Sequence, residues 1–256
     1  MEFFDLAKST SAVTLIRMSL IVNLMLGCIF FANWTSANQL QPYDLHYTAE
    51  LGGMKIEARH QLQQINGQYK AETQAKNFLG KITENGNFEI SENGEITPLK
   101  YTKRQKTLMG NRSETLLFDW ASNSLLHTEN ETQGKIEISK GQFDRLSLTQ
   151  QIRLDLAKGK KEFTYTIIRK GEFKKYHYRV IGNEAIVIGE NTYNSLLVER
   201  MTKDSSKKTS IWFALDWDLV ILKMETFEKN SKRTLVLDQG KLNGNSIVPL
   251  KNMVEI

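Results

Sequence analysis

The residues of this chain with the clearest chemical potential are acids that stand beside tryptophans. Asp119 precedes Trp120, and Asp216 and Asp218 flank Trp217. A pair of carboxylates across a cleft is the arrangement with which glycosidases hydrolyse a sugar bond. Asp216 and Asp218 are only two residues apart in a short turn, however, where aspartates typically hydrogen-bond the local backbone. The sequence therefore favours turn capping over catalysis at this pair.

Metal and nucleophile chemistry finds little support in the sequence. Histidines at H-x-x-x-H or H-x-H spacing would indicate a local metal site, and G-x-S-x-G, P-loop or G-x-G-x-x-G motifs would indicate other chemistries, but none occurs. We therefore expect the histidines to be structural or surface residues. The alternative is that the fold brings some of them together as metal ligands. The sequence predicts no catalytic residue, no metal and no cofactor, and leaves enzymatic activity uncertain. The histidines are His46, His60, His127 and His177.

Aromatic side chains suggest a different kind of site. Trp120, Trp212 and Trp217 could line an apolar pocket, because pockets for small apolar ligands are lined by such side chains. The alternative is that they belong to the core of a sheet, since aromatics dominate buried area. Strand alternation puts Trp212 and Phe213 on opposite faces, and we expect Trp212 to be the one that points inward.

The elements that would position these residues are mostly strands. Residues 43–51 alternate so that Tyr43, Leu45 and Tyr47 share a face. Pairs such as Gly52-Gly53 and Asn66-Gly67 are hairpin signals. New strands follow every 8–12 residues or so up to residue 238, with turns expected at Lys170-Gly171 and Gly182-Asn183 among others. The rhythm predicts about a dozen antiparallel strands.

One segment breaks this rhythm. Residues 143–157 depart from strict alternation, Asp144 can cap a helix, and Gly159 lies just beyond its end. Leu148, Ile152 and Leu156 would then form one apolar stripe. The predicted fold is mainly β with one substantial helix: a large curved antiparallel sheet, closed as a barrel or left as a half-barrel, with the helix able to plug one opening.

The N-terminal region indicates export. Residues 18–31 are the only long apolar run, Arg17 precedes them, and small residues lead to Ala37. A cation, a short apolar core and a small-residue exit are typical of a secretory signal peptide, and the run is short for a membrane span. We expect a signal helix over 1–37, cleaved or retained as an anchor, and one β-rich exported domain over 38–256. The only cysteine, Cys28, falls in this apolar run, which leaves lipidation there as the alternative to a plain signal.

The charge and composition of the chain limit the classes of binding partner that we expect. The net charge is +5, but cations and acids are interspersed along the chain. Nucleic-acid binding would need a basic stripe with interleaved aromatics, and none is visible. The pairs Lys174-Lys175 and Lys207-Lys208 could touch an anionic membrane surface, but solvated turns are the favoured explanation.

Several motifs together resemble the bacterial exported proteins grouped as domain of unknown function 3108. The most specific is the hairpin segment, although the family usually carries prolines in this hairpin where Leu215 and Ile221 stand here. The resemblance covers the chain after the signal and implies no activity, and the family's curved sheet is similar to the lipoprotein-carrier folds of the periplasm. The motifs are the N-terminal signal, Tyr43-x-x-x-Tyr47-x-x-x-Leu51-Gly-Gly, Asp144-x-Leu-Ser147, and Ile211-Trp-Phe-Ala-x-Asp216.

Three functions follow in order of preference. The first is a non-enzymatic periplasmic or envelope protein that holds a lipid or other apolar small molecule in a half-barrel. The second is a structural protein that pairs its strand edges with an envelope protein. The third is a hydrolase of cell-wall glycan. No nucleic-acid partner is expected, membrane contact is expected only transiently through the signal segment, and the oligomeric state is left open.

Overall fold

The computed structural model describes residues 39–51, 53–202, 206–228 and 231–249. The predicted signal segment and Cys28 lie outside these ranges. The elements in chain order are β1 (Tyr43–Leu51), β2 (Met54–Ile65), β3 (Gln68–Asn77), β4 (Gly80–Ile90), β5 (Ile96–Thr107), β6 (Gly110–Asp119), β7 (Ser124–Glu129), β8 (Thr132–Glu137), β9 (Gln142–Phe143), α1 (Arg145–Ala157), β10 (Glu162–Arg169), β11 (Glu172–Ile188), β12 (Asn191–Met201), β13 (Lys207–Ala214), β14 (Ile221–Glu228), β15 (Ser231–Leu242) and β16 (Asn245–Ser246).

The strands form one large curved sheet that does not close. Its order is β8-β7-β6-β5-β4-β3-β2-β1-β15-β14-β13-β12-β11-β10-β9, with β16 paired to β15. Neighbours are antiparallel except for the short β9, which runs parallel to β10. The chain therefore enters the sheet in the middle, builds one wing from β2 to β8, and builds the other wing from β9 to β15. The predicted fold class, mainly β with one helix, is confirmed.

Two-residue turns with positive φ make the meander possible. Asn66 and Gly67 have φ of 51° and 82°, and Lys170 and Gly171 have φ of 52° and 71°. Such turns match the twist of the flanking strands, which is why residues that tolerate positive φ stand there. The hairpins expected at both places are confirmed.

Two strand boundaries differ from expectation. The turn predicted at Gly182-Asn183 is wrong, because β11 runs without reversal through these residues. The register against β12 shifts there, between Val180 and Gly182. A glycine thus serves a bulge that bends the strand rather than a turn that ends it. Likewise β15 continues to Leu242, beyond residue 238, where the strand rhythm of the sequence was expected to end.

Helix α1 begins where Asp144 caps it. The Asp144 carboxylate accepts hydrogen bonds from the backbone N–H groups of Leu146 and Ser147, at 2.8 and 3.0 Å, and the Ser147 hydroxyl completes a capping box. The predicted helix and its cap are confirmed. The sequence predicted one buried apolar stripe on this helix. In the structure almost every side chain from Leu146 to Leu156 is buried, so the helix is covered on nearly all sides. No helix among the described residues is long and apolar enough to cross a membrane.

The helix fills the inside of the curved sheet and sits closer to one end of it. The Gln151 side chain donates to the carbonyl of Gly94 and accepts from the backbone N–H of Ile96, at 3.3 and 2.8 Å. These partners lie in and beside the β4–β5 turn, and we call this end of the sheet the helix end. The opposite end carries the β3–β4, β5–β6 and β7–β8 turns and is called the far end. Gly86 of β4 lets the helix approach, since a Cβ there would lie 3.0 Å from the Leu146 Cβ.

The wings of the sheet also meet. In the turn between β10 and β11, the backbone N–H of Lys170 donates to Glu114 Oε1 on β6 at 2.8 Å. A Cβ on the adjacent Gly171 would lie 2.8 Å from His127 Nδ1 on β7. The sheet therefore curves far enough for its two wings to touch side chain to backbone, although within the described ranges no strand pairing joins them.

Candidate functional site

One face of the buried helix is polar. Arg145, Thr149 and Arg153 follow one another at i, i+4 and i+8, so they share a face of α1. Arg145 starts the helix and its side chain is 52% exposed, whereas that of Arg153 is 2% exposed. The face therefore runs from a solvent-facing guanidinium to a buried one.

The buried guanidinium ties the helix to the β13–β14 turn. Arg153 Nη2 lies 2.7 Å from Asp218 Oδ2, and its Nε and Nη2 donate to the Asp218 carbonyl at 3.1 and 2.8 Å. Nη1 donates to Gln150 Oε1 at 2.7 Å, and Gln150 Nε2 donates to the Tyr43 hydroxyl at 2.9 Å. Asp218 has a φ of 46°, so the turn holds an unusual conformation at the residue that receives the arginine. The polar groups of this network therefore hold α1 against the β13–β14 turn and β1.

A small pocket lies along the same helix face, with room for about one water molecule. His60 stands in its wall, and burial, followed by the charges of Arg153 and Arg145, lowers the pKa of this histidine to about 4. Its ring is therefore neutral near pH 7, with Nε2 3.4 Å from the Tyr43 hydroxyl. The lining residues are Tyr43, Leu45, Tyr47, His60, Thr149, Arg153, Val220 and Ile221.

The exposed guanidinium belongs to a second cluster, which lies on the inner face toward the far end. Arg145 Nη1 lies 3.3 Å and Lys103 Nζ lies 3.8 Å from the same oxygen, Oε1 of Glu84. The Glu84 side chain is 4% exposed, and its Oε2 is buried with no hydrogen-bond partner among the described residues. Glu84, Lys103 and Arg145 are called the charge cluster below.

The charge cluster carries one positive charge in excess. Two cations share one carboxylate, and the Arg145 guanidinium contacts Glu84 through Nη1. A planar guanidinium with free donors matches carboxylate and phosphate groups, which it can bind through two parallel hydrogen bonds. Tyr101 lies beside the cluster, and burial followed by the charge of Glu84 raises the pKa of its hydroxyl. The cluster is therefore suited to attract an anionic group.

The three tryptophans predicted as ligand-binding residues lie on different elements. Trp120 follows β6, stacks on Phe118 at 5.6 Å and donates to the Pro98 carbonyl at 2.6 Å. Trp217 lies in the β13–β14 turn and packs partly buried against the core. No ring contact joins Trp120, Trp212 and Trp217 within the part of the chain that the structure describes. Their role in ligand binding stays a prediction.

The expected orientation of Trp212 is wrong. Phe213 is 1% exposed and belongs to the core, so Trp212 lies on the outer face of β13. There Trp212 Nε1 donates to Glu184 and the Lys223 ammonium lies 4.9 Å from the ring centroid. A cation over an indole face is a favourable surface arrangement. The outer position is thus stabilised by polar partners that sequence alternation could not identify.

The acids beside the tryptophans are bound to other side chains. Asp218 pairs with Arg153, and Asp216 Oδ2 accepts from Asn194 Nδ2 at 3.1 Å. The sequence predicted that this pair would hydrogen-bond the local backbone of the turn. That prediction is wrong, because the side-chain partners come from α1 and β12. Asp119 by contrast accepts from the backbone N–H groups of Ala121 and Ser122. Among the described residues no group of three or more His, Cys, Asp or Glu side chains could hold a metal ion.

Sequence reasoning missed the charge cluster altogether. One signal was available: Arg145 and Arg153 stand eight residues apart in a helix that was expected to enter a half-barrel. A buried cation is costly and so needs a partner or a purpose. The partners Glu84 and Lys103 precede Arg145 by 61 and 42 residues and could not be assigned from spacing.

Comparison with solved structures supports the architecture. A beta-barrel-like protein of domain of unknown function DUF1849 from Brucella abortus aligns with a TM-score of 0.53 at 8% identity, over 80% of this chain and 98% of that one. This likeness shows the fold alone. A DUF1089 family protein from Pseudomonas aeruginosa aligns with a TM-score of only 0.37 at 9% identity, over 64% of this chain and 87% of that one.

Comparison by sequence identifies the family. No curated protein matches the chain. The family described as "Protein of unknown function (DUF3108)" matches residues 42–238, from the start of β1 into β15. The match covers both wings of the sheet, the helix and the charge cluster, and it agrees with the resemblance in the hairpin and helix-cap motifs. The chain belongs to the DUF3108 family.

Proposed function

We propose that this protein is an exported, non-enzymatic binding protein that holds an anionic group at the charge cluster. The supporting observation is that Arg145 and Lys103 share one oxygen of the buried Glu84 while the Arg145 side chain remains half exposed. Export to the periplasm, with cleavage or anchoring at the N-terminal segment, rests on the pattern of residues 18–31.

The ligand that we expect at the charge cluster has a charged head group, in contrast to the apolar molecule expected from the sequence. Helix α1 occupies the inside of the sheet, and it brings Gln150 and Arg153 into the interior. The pocket beside the helix has room for about one water, not for an acyl chain. A lipid-like ligand would therefore place its head group, rather than its chain, against the charge cluster.

The chemistry of the cluster defines the class of ligand. Arg145 offers donors for a phosphate or carboxylate, and Lys103 adds a flexible cation that is 30% exposed. Glu84 Oε2 is buried, so the ligand contacts fall to the two cations, and Glu84 holds these side chains in place. A phosphate or carboxylate head group matches this pair of cations.

Isothermal titration with dihexanoyl phosphatidylglycerol below its micelle concentration, and with inorganic phosphate, tests the proposal. The Arg145→Gln variant should weaken binding of both probes at least tenfold, because a charged hydrogen bond contributes about 1.5–3 kcal/mol. The matched control is Arg104→Gln, which removes an exposed arginine from the opposite face of the same strand as Lys103. Equal losses in the two variants, or none in either, would contradict the proposal.

A second candidate is the structural role predicted from strand edges. Strand β8 ends the sheet at one wing, and its side chains are mostly exposed. An exposed terminal strand can pair with an extended segment of another protein. Cross-linking from a photoreactive residue at Gln133 in native cells would support this role if it captured a partner chain, and recovery of monomer alone would contradict it.

A further inference from the structure

The three most exposed large apolar side chains among the described residues, Phe78, Leu108 and Met109, lie on two neighbouring hairpin tips at the far end. Phe78 and Leu79 form the β3–β4 tip and are 80% and 37% exposed. Leu108 and Met109 form the β5–β6 tip and are 83% and 99% exposed. Four large apolar residues in solvent at one edge are unusual for a soluble surface and indicate an interaction site. These four residues are called the apolar tips.

The two tips are fastened to each other. The backbone N–H of Leu108 donates to the Leu79 carbonyl at 3.3 Å. Gly80 packs so closely on β5 that a Cβ there would collide with the Lys106 carbonyl. The tips are therefore held side by side as one preformed surface, and little conformational entropy has to be lost when they bind a partner.

The apolar tips are surrounded by cations. Lys76, Lys81 and Lys106 occupy directly opposed positions on β3, β4 and β5, and all three are exposed. Like charges directly opposite one another destabilise a sheet. Lys76 has Glu57 at 3.3 Å, but Lys81 and Lys106 have no ion-pair partner among the described residues. The segments 76–81 and 104–112 also contain no acid, with Arg104 and Arg112 as their further cations.

Apolar groups that project beyond a row of lysines match the profile of an anionic bilayer surface. The apolar side chains would enter the head-group and acyl boundary, and the lysines would remain at the level of the lipid phosphates. A protein partner would need an acidic rim around an apolar groove, and the structure offers no shape that selects one.

We propose that the far end docks on an anionic membrane through the apolar tips, with Lys76, Lys81 and Lys106 contacting lipid phosphates. This inference does not depend on the ligand at the charge cluster. It assigns membrane contact to the folded domain, in addition to the contact expected of the N-terminal segment, and it orients the domain with its helix end away from the lipid.

The test has to separate the tips from the apolar N-terminal segment, so the reporter is placed on a tip. The full chain carries Cys28→Ser and Met109→Cys, labelled with the polarity-sensitive fluorophore NBD. The matched control carries the same label at Ser122→Cys, in the β6–β7 turn at the helix end. Vesicles contain either phosphatidylcholine alone or phosphatidylcholine with 40% phosphatidylglycerol.

The label at position 109 should shift to the blue and brighten about twofold or more with phosphatidylglycerol vesicles, while the label at 122 stays unchanged. Adding Lys81→Gln and Lys106→Gln to the labelled chain should raise the lipid concentration for half-maximal signal about 25-fold, since each lysine near such a surface contributes about fivefold. No change at position 109, an equal change at 122, or the same response to phosphatidylcholine alone would each overturn the proposal.

Discussion

Single residues in this chain take their roles from partners that lie far away in sequence. Arg153 is nearly fully buried and donates to Asp218 and Gln150, whereas Arg145, two turns earlier on the same helix face, is half exposed and contacts Glu84 through Nη1. The same residue type thus anchors the helix at one end and presents charge at the other. The burial of each arginine and the position of its partners decide between these roles, and neither can be read from the sequence.

The orientation of Trp212 shows where residue-level prediction stops. Alternation correctly puts Trp212 and Phe213 on opposite faces, but it cannot say which face is the inside. The core neighbours of Phe213 decide this, together with Glu184 and Lys223, which hold Trp212 on the outer face. The environment of His60, which lowers the pKa of its ring, could not be predicted from the sequence.

His60 predicts a pH effect on stability. The folded-state pKa of about 4 lies below the ordinary value of 6.5. Between these values the unfolded chain binds a proton that the folded chain does not, so the free energy of unfolding should fall as pH drops from 6.5 toward 4. We expect His60 to account for a loss of about 2 kcal/mol in the free energy of unfolding. This is less than the full pKa difference would give, because the ring is only half-buried.

Urea denaturation at pH 7, 5.5 and 4.5 measures this effect. His60→Gln should flatten the fall relative to the unmodified protein, whereas His177→Gln, on the outer face of β11 beside Thr164, should leave it in place. Parallel pH curves for the unmodified protein and His60→Gln would show that the ring is not held neutral by its surroundings.

At the scale of elements, turns and caps were predictable because their chemistry is local. The Asn66-Gly67 and Lys170-Gly171 hairpins and the Asp144 cap each follow from two to four consecutive residues. The bulge at Gly182 was mistaken for a turn because a glycine serves both, and only pairing with β12 distinguishes them. The all-round burial of α1 depends on the sheet that encloses it, so the helix alone predicts one stripe and no more.

The link between α1 and the β13–β14 turn is testable. Asp218→Asn removes the counter-charge of Arg153, which is 2% exposed, and should lower the free energy of unfolding by about 2–3 kcal/mol. Asp216→Asn is the matched control two residues earlier; its bond to Asn194 is exposed, and its loss should stay within about 0.5 kcal/mol. Urea denaturation at pH 7 compares the two variants, and equal losses would remove Arg153 from the anchoring role.

At the scale of the whole molecule, the rhythm of short strands correctly predicts a curved antiparallel sheet with one enclosed helix. The match to the DUF3108 family and the DUF1849 structure from Brucella abortus agree with that architecture. What the strand pattern could not supply is the content of the interior. Glu84, Lys103 and Arg145 come from three elements and meet only because the sheet rolls around the helix. The apolar ligand site expected from the tryptophans stays a prediction, whereas the charge cluster could not be expected from the strand pattern.

The central claim is that the charge cluster holds an anionic group, and native mass spectrometry of the protein purified from the cells that produce it tests this most directly. We predict that the unmodified protein retains a small molecule containing phosphate or carboxylate, and that Arg145→Gln, purified in parallel, loses it while remaining folded. A neutral ligand retained equally by both proteins, or no bound molecule in either, would contradict the account.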